Sequence, residues 1–210
     1  MPQPPASGDL LKLGVLISGG GSTLENLIVR IRDGRLRGAT ITQVISSRGA
    51  VRGVNIARAA DLPLEIIRKR DFPDERGQSD AITAALDRAS VDLALLAGFL
   101  CFWHYPARYA LRALNIHPAL LPKHGGRGMY GGRVHEAVLA AGESESGCTV
   151  HVVDDQYDHG PIVDQVRVPV KPDDTPQSLA QRVGEAEREL YPRVIQQVAD
   201  NGVDWLRQFR

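Results

Sequence analysis

The chain has 210 residues, and its 43% hydrophobic and 24% charged composition is typical of a folded globular protein. Its 25 Lys and Arg residues balance 25 Asp and Glu residues, so no net charge favours nucleic acid or an anionic membrane as a partner. No apolar run approaches the roughly 20 residues of a membrane span. Two cysteines, Cys101 and Cys148, lack the spacing of a disulfide framework or a metal site, which favours a cytoplasmic location.

The N-terminal residues differ in composition from the rest of the chain. Residues 1–9 are rich in Pro, Gly and Ser and contain no apolar segment, so we predict a short disordered tail rather than a signal peptide. No repeat or linker interrupts the remainder. We therefore predict a single domain over 10–210, with an N-terminal half at about 10–112 and a C-terminal half at about 113–210.

Apolar strand patterns alternate with helical patterns in the N-terminal half. The predicted strands are 10–17, 40–46, 63–67, 91–97 and 113–116, and the predicted helices are 22–33, 54–60 and 78–89, with a short helical stretch at 105–110. Ser22 and Glu25 have the spacing of a capping box for the first helix, and Gly34 fits its end. The alternation predicts an α/β fold with a doubly wound, mostly parallel sheet, which binds ligands where its strands end.

The C-terminal half follows a different pattern. It begins with a glycine-rich loop at 123–132 and a short helix at 134–141. Two strands, 147–153 and 162–170, are joined by an acidic loop at 154–160, which predicts a hairpin and so antiparallel strands at the end of the sheet. Thr175 and Pro176 have the residue types of an N-cap and a first helical position, and the helix they start is predicted to reach about residue 200.

An amide and an imidazole lie two residues apart where the strand 113–116 meets a loop bounded by Pro118 and Pro122. Residues i and i+2 of an extended chain point the same way, so Asn115 and His117 can address one reacting atom. Asn115 is a hydrogen-bond donor, and His117 titrates near neutral pH. These properties suit catalysis, although a histidine beside a proline is also common as a purely structural residue.

The glycine-rich turn that follows the first strand, residues 19–23, is predicted to bind phosphate. Glycines let backbone N–H groups approach an anion, and the helix that follows adds further unpaired N–H groups. Leu24 stands where a dinucleotide-binding motif has its last glycine, and the lysine of a P-loop is missing. The turn therefore suits a phosphate monoester, the alternative being a turn with no ligand.

A single acid in the loop of the predicted hairpin is the third catalytic candidate. Asp158 precedes a His-Gly-Pro segment and could face His117, raise the pKa of its imidazole and so keep it charged. Asp154 and Asp155 lie in the same loop, so three surface aspartates are the alternative. His151 is predicted to be a hydrogen-bonded residue of the sheet. No group of histidines has ligand spacing, so no metal site is predicted.

Four motifs in this order resemble the glycinamide ribonucleotide transformylases of the formyltransferase family: 18–22 (SGGGS), 96–99 (LAGF), 115–122 (NIHPALLP) and 158–161 (DHGP). The resemblance extends from about residue 12 to about residue 198. It implies a Rossmann-like formyltransferase fold in a monomer or homodimer. It also implies transfer of a formyl group from 10-formyltetrahydrofolate to 5-phosphoribosylglycinamide, a step of de novo purine (IMP) biosynthesis that uses no metal.

The resemblance also assigns roles to individual residues of this chain. Those implied to catalyse are Asn115, His117 and Asp158. Those implied to bind the ribonucleotide are Gly19, Gly20, Gly21, Ser22, Thr23 and Glu187. Those implied to bind the folate are Arg76, Leu100, Cys101, Phe102, Trp103, Asn115, Asp154, Asp155, Gln156, Tyr157 and Asp158.

The chain departs from the family pattern at four positions. Gly20 and Thr23 stand where relatives commonly have asparagine, Cys101 where an arginine is frequent, and Ala119 where a serine is frequent. Two relatives with the same chemistry carry an additional regulatory or tRNA-binding domain, for which these 210 residues leave no room. The alternatives are a 10-formyltetrahydrofolate hydrolase and a non-catalytic sugar-phosphate-binding protein.

Overall fold

Seven strands form one mixed sheet in a computed structural model that describes residues 10–209. The strands are β1 Leu11–Ile17, β2 Ala39–Ser46, β3 Leu64–Ile66, β4 Leu93–Leu96, β5 Ala113–His117, β6 Glu145–Val152 and β7 Ile162–Pro169. Their order is β3-β2-β1-β4-β5-β6-β7. Strands β1 to β5 are parallel, and β6 and β7 are antiparallel, which confirms the predicted fold class. The predicted tail 1–9 lies outside the described residues.

Five α-helices accompany the sheet among the described residues: α1 Ser22–Arg32, α2 Arg52–Ala59, α3 Glu75–Arg88, α4 Gly132–Ala140 and α5 Pro176–Asn201. Short 3-10 segments lie at Lys69–Asp71, Ala107–Tyr109 and Val203–Phe209. Thr175 caps α5 in a reciprocal pair with Ser178, as its residue type predicted. No helix within 10–209 combines the length and apolarity needed to span a bilayer. The single-domain boundaries stay a prediction.

Two details at helix starts differ from the sequence-based predictions. The prediction of a capping box formed by Ser22 and Glu25 is wrong. Gly21, with a left-handed φ of 72°, is the N-cap of α1, and no side chain forms a capping hydrogen bond. Glu25 instead pairs with Arg52 of α2 at 2.6 Å. Helix α3 begins at Glu75 rather than near residue 78, because Asp74 accepts a hydrogen bond from the Gly77 N–H and forms the cap.

Apolar side chains of the sheet pack into two core clusters. In β1, Leu13, Val15 and Ile17 belong to one cluster and Leu16 to the other, because successive side chains of a strand point to opposite faces. Helix α5 contributes the fully buried Tyr191, whose hydroxyl donates to the carbonyl of Leu114 at 2.9 Å. This bond fixes α5 against β5 at the residue before Asn115.

The strand order reverses between β1 and β4, since β2 and β3 lie on one side of β1 and β4 and β5 on the other. Open α/β sheets bind ligands in the crevice outside the carboxyl ends of the strands at such a reversal. Strands β1, β4 and β5 end at this edge, and the segments that follow them begin there. The topology therefore places 18–23, 97–102 and 115–118 beside one another.

Candidate active site

A cavity of about 570 Å³ lies at this edge of the sheet. We call it the cleft. It is lined by residues of the glycine-rich turn, of the β4 and β5 ends, of the 126–133 loop and of α5. The predicted site residues that line it are Gly19, Gly20, Gly21, Ser22, Thr23, Leu100, Cys101, Phe102, Asn115, His117, Tyr157, Asp158 and Glu187.

His117 is held between a backbone carbonyl and a carboxylate. Its Nε2 lies 2.8 Å from the carbonyl oxygen of His124, and its Nδ1 lies 3.4 Å from Oδ2 of Asp158. A carbonyl can only accept a hydrogen bond, so Nε2 carries the hydrogen in the neutral ring. Nδ1 is then the nitrogen that can take up a proton, and protonation there creates an ion pair with Asp158.

The protonation state of His117 differs from the sequence-based expectation. Burial disfavours the charged imidazolium and lowers the pKa of His117, and this effect exceeds the raising effect of the Asp158 charge. The side chain is only 4% exposed, so little water remains to stabilise a positive charge. The predicted net rise in the pKa of His117 is therefore wrong for the ligand-free protein, and the lowered pKa favours the neutral imidazole at neutral pH, although Asp158 does act in the predicted direction.

Asn115 donates both hydrogens of its amide within the site. Nδ2 lies 3.2 Å from Oδ1 of Asp158 and 3.0 Å from Nε2 of His151. His151 donates from Nδ1 to the carbonyl of Val152 at 2.9 Å, which leaves its Nε2 as an acceptor. His151 is the cross-strand neighbour of Asn115 on β6. It is a hydrogen-bonded sheet residue, as predicted, but its contact with Asn115 could not be foreseen without the strand register.

Asp158 connects three segments of the site. Besides Asn115 and His117, it contacts the 123–132 loop, because its Oδ2 accepts a hydrogen bond from the Gly126 N–H at 3.0 Å. Burial by itself would raise the pKa of Asp158. Hydrogen bonding and the neighbouring histidines outweigh burial, so its pKa is lowered and the group is a carboxylate at neutral pH.

The glycine-rich turn presents backbone N–H groups to the cleft. Within 10–209, no acceptor is bonded to the N–H of Gly20 or Gly21. The N–H groups of Ser22 and Thr23 are at the start of α1, where a helix has no internal acceptor for them. Such a group of N–H donors at a helix N-terminus binds phosphate well.

Glu187 reaches the cleft from α5. It lies four residues before Tyr191 and so on the same helix face. The hydrogen bonds of the Tyr191 hydroxyl hold this face against β4 and β5. Burial raises the pKa of Glu187 to about 7. This raised pKa lies near neutral pH, so a bound substrate can change the ionisation of the carboxyl group.

Several cleft residues were not predicted from the sequence. Lys69, Glu75, Met129, Tyr130 and the arginines at 127 and 133 also line the cleft. They come from the 126–131 loop, from a 3-10 segment and from the first residues of α3 and α4, so no apolar pattern connects them to the catalytic residues. The glycine content of 123–132 was the one available signal, and it indicated a loop without indicating where the loop lies.

Other residues that the resemblance assigned to folate lie outside the cleft. The Trp103 side chain is 3% exposed, belongs to a core cluster and donates from Nε1 to Thr83 at 3.0 Å. Arg76, Trp103 and Asp155 line a neighbouring cavity, also of about 570 Å³, and Phe102 borders both cavities. The remaining two are elsewhere in the same loop: Gln156 lines a smaller pocket, and Asp154 bonds to His159 at 2.6 Å.

Comparison with known proteins agrees with this arrangement. The family model described as "Formyl transferase" matches residues 11–195, nearly the whole described chain. The chain belongs to the formyl transferase family. All residues of the cleft lie within the matched range.

Named relatives of this formyl transferase include both short and long proteins. The chain is 36% identical to the phosphoribosylglycinamide formyltransferase of Haemophilus influenzae, over 88% of this chain and 85% of that protein. It is 41% identical to the trifunctional purine biosynthetic protein adenosine-3 of Drosophila melanogaster, over 88% of this chain. That match spans only 14% of the much longer fly protein.

Among solved structures, the glycinamide ribonucleotide transformylase 1 of Symbiobacterium toebii is similar to this chain, with a TM-score of 0.85 and 33% sequence identity. The superposition covers 92% of this chain and 89% of that one. The seven-stranded mixed sheet described above is thus the fold of this formyl transferase group.

Proposed function

We propose that the chain transfers the formyl group of 10-formyltetrahydrofolate to the amine of 5-phosphoribosylglycinamide, giving the N-formyl product and tetrahydrofolate in purine biosynthesis. One observation carries the proposal: Asp158 makes polar contacts with Asn115 at 3.2 Å and His117 at 3.4 Å, in the same cleft as the glycine-rich turn. Side chains suited to acyl transfer and a turn suited to phosphate binding thus line the same cavity, which supports the proposal. The cytoplasmic location and the monomeric or dimeric state stay predictions.

The acceptor would occupy the side of the cleft formed by the glycine-rich turn and α5. Its phosphate would accept hydrogen bonds from the N–H groups of 19–23, and Glu187 would contact its polar groups. A phosphate monoester supplies enough acceptor oxygens for several N–H donors at once.

The donor would occupy the side formed by the residues after β4 and by the β6–β7 loop. Leu100, Cys101 and Phe102 line the cleft there, and the rings of Phe102 and Tyr157 meet edge to face at 5.0 Å. Aromatic and apolar side chains suit the flat rings of a folate, while nearby backbone groups can bond to its edge. The neighbouring cavity, which Arg76, Trp103 and Asp155 line, extends this side beyond Phe102.

The proposed reaction uses a neutral His117 as its base. The acceptor amine attacks the formyl carbon, a carbon–nitrogen bond forms, and the carbonyl oxygen becomes negative. Nδ1 of His117 takes the proton released by the attacking nitrogen, and Asp158 stabilises the resulting imidazolium. His117 then returns this proton to N10 of the folate as the bond between N10 and the formyl carbon breaks.

Asn115 would stabilise the negative oxygen of the intermediate. Both of its amide hydrogens are already engaged, so the formyl oxygen has to replace either His151 or Asp158 as acceptor. The imidazole nitrogen of His151 is the weaker acceptor of the two, since a carboxylate forms stronger hydrogen bonds. We therefore expect the formyl oxygen to displace His151 while the bond to Asp158 persists.

The test is spectroscopic measurement of tetrahydrofolate release from 10-formyltetrahydrofolate. We expect release to depend on 5-phosphoribosylglycinamide, and to fall at least about a hundredfold in His117→Ala, since general acid–base groups contribute 10²–10⁴-fold. Arg88→Ala is the control, because this exposed arginine bonds to Glu65 and neither residue lines the cleft.

Release at the same rate without acceptor would instead identify a 10-formyltetrahydrofolate hydrolase. Phosphate-dependent binding with no turnover would identify a sugar-phosphate-binding protein. Either result would reject the proposed transfer reaction.

A further inference from the structure

The N-terminus of α2 holds two consecutive carbonyl groups of the glycine-rich turn. The Gly53 N–H donates to the carbonyl oxygen of Gly19 at 3.1 Å, and Nη1 of Arg52 donates to that of Gly20 at 3.1 Å. A Cβ atom added to Gly21 would lie 2.5 Å from Cα of Gly53, so the two backbones are in direct contact. We call Arg52 and Gly53 the α2 anchor.

The α2 anchor determines where the N–H groups of the turn point. In a trans peptide unit the C=O of one residue and the N–H of the next point in opposite directions. Because the carbonyl of Gly19 points toward α2, the N–H of Gly20 points away from α2. In the same way, the carbonyl of Gly20 points toward α2 and the N–H of Gly21 points away from it. These are the two N–H groups that have no acceptor within 10–209 and that belong to cleft-lining residues.

Gly20 and Gly21 make such a restraint necessary. Glycine populates more of φ/ψ space than any other residue, so an unrestrained Gly-Gly pair loses considerable conformational entropy when it orders around an anion. Arg52 itself does not line the cleft, and its guanidinium also bonds to Glu25 of α1 at 2.6 Å. It thus connects α2, the turn and the first turn of α1.

We propose that Arg52 is a positioning residue for acceptor binding: it holds the Gly20 carbonyl so that the Gly21 N–H faces the phosphate. This inference rests on the proposed function, which assigns the phosphate of the acceptor to residues 19–23. It adds a residue that does not itself line the cleft and whose effect is limited to the acceptor.

Steady-state kinetics of Arg52→Ala test the proposal. We expect the KM for 5-phosphoribosylglycinamide to rise about threefold to tenfold, the size of one lost hydrogen bond from a charged donor at an exposed site. The kcat and the KM for the folate donor stay unchanged, because His117 and Asp158 are untouched. Arg52→Lys recovers part of the loss, since an ammonium group can still donate one bond to Gly20.

Arg88→Ala is the matched control. Arg88 is an exposed arginine that bonds to both carboxylate oxygens of Glu65, and neither residue lines the cleft. Its removal should leave both KM values unchanged. In ¹⁵N NMR spectra of the ligand-free proteins, Arg52→Ala should shift the amide signals of Gly20 and Gly21, and Arg88→Ala should not.

The double variant Arg52→Ala, Glu25→Gln separates positioning from charge neutralisation. If Arg52 orients the turn, the acceptor KM stays high in the double variant. Full recovery would show that Arg52 only neutralises Glu25 near the phosphate and would overturn the proposal, as would an unchanged KM in Arg52→Ala. Titration of the parent protein with inorganic phosphate alone checks the underlying assignment, because unperturbed Gly20 and Gly21 amides would reject the phosphate site itself.

Discussion

Burial and a neighbouring carboxylate act on His117 in opposite directions, and this balance sets the pH range of the proposed reaction. Burial is the larger effect and lowers the pKa of His117, so the neutral base persists to a pH below the usual value for histidine. Asp158 opposes this shift, since its negative charge favours the imidazolium. The carboxylate therefore matters most once the ring has taken up a proton.

Asp158→Asn tests this balance. Removing the carboxylate takes away the charge that raises the pKa of His117, so we expect that pKa to fall further. The acid limb of kcat/KM should then move to lower pH, while kcat falls about tenfold to a hundredfold because the imidazolium loses its partner. NMR titration of His117 and the pH profile of kcat/KM measure the two effects. A rise in the His117 pKa would contradict the assignment.

Burial shifts the pKa of Glu187 in the direction opposite to that of His117, because the charged form of a carboxyl group is the deprotonated one. Burial raises the pKa of Glu187 from 4.5 to about 7, so the carboxylate form appears only as the pH rises through that value. If the carboxylate binds the acceptor, the acceptor KM should decrease between about pH 6 and pH 8. Glu187→Gln should abolish this dependence and leave the folate KM unchanged. A pH-independent KM in the parent protein would show that Glu187 does not contact the acceptor.

A carboxyl group with a raised pKa also costs stability at high pH. The unfolded chain ionises Glu187 near its ordinary pKa of 4.5, whereas the folded protein resists ionisation up to about 7, so stability from this group is lost as the pH rises across that interval. Glu187→Gln removes the effect. Its melting temperature should exceed that of the parent protein at pH 8 and match it near pH 4.

At the scale of elements, the loop 123–126 contacts the catalytic group at two points. The carbonyl of His124 accepts a hydrogen bond from His117, and the N–H of Gly126 donates one to Asp158. Gly125 lies between them, and a Cβ atom there would come 2.5 Å from Cδ2 of Leu121 and 3.2 Å from Cβ of Asp158. A short loop with no side chain at this point is what allows both contacts.

Gly125→Ala should therefore displace the loop from Asp158. We expect kcat to fall about tenfold, because His117 and Asp158 lose orienting hydrogen bonds of ~1 kcal/mol each, and the acceptor KM to change little. Gly132→Ala is the control, since an added Cβ there meets only Glu136 at 3.9 Å. Equal activity of the two variants would show that the loop contacts do not support catalysis.

At the scale of the whole molecule, much of the fold follows from local patterns. Apolar runs identified the strands, and Thr175 with Pro176 identified the start of α5. The helix start at Glu75 was hidden in a charged segment, because the capping role of Asp74 depends on one hydrogen bond. The lowered pKa of His117 depends on burial by residues distant in sequence, so a spacing of two residues from Asn115 could not reveal it.

Tyr191 joins the last helix to the sheet and so affects the stability of the entire fold. Its hydroxyl donates to the carbonyls of Leu114 at 2.9 Å and Leu96 at 3.3 Å, inside the core. Tyr191→Phe should lower the free energy of unfolding by about 1–2 kcal/mol, because these buried carbonyls lose a donor. Urea denaturation measures the change. Tyr130→Phe, at an exposed ring, should cost less than about 0.5 kcal/mol.

The position of Glu187 on α5 has a consequence for the synthesis of the protein. The acceptor site combines residues near position 20 with a residue of the C-terminal helix, so its two sides are translated at nearly opposite ends of the described chain. A nascent chain on the ribosome can form the parallel strands and the glycine-rich turn first, but it lacks Glu187 until α5 has emerged and docked through Tyr191. We therefore expect the capacity to bind the acceptor to appear late in folding, in the same step that completes the core.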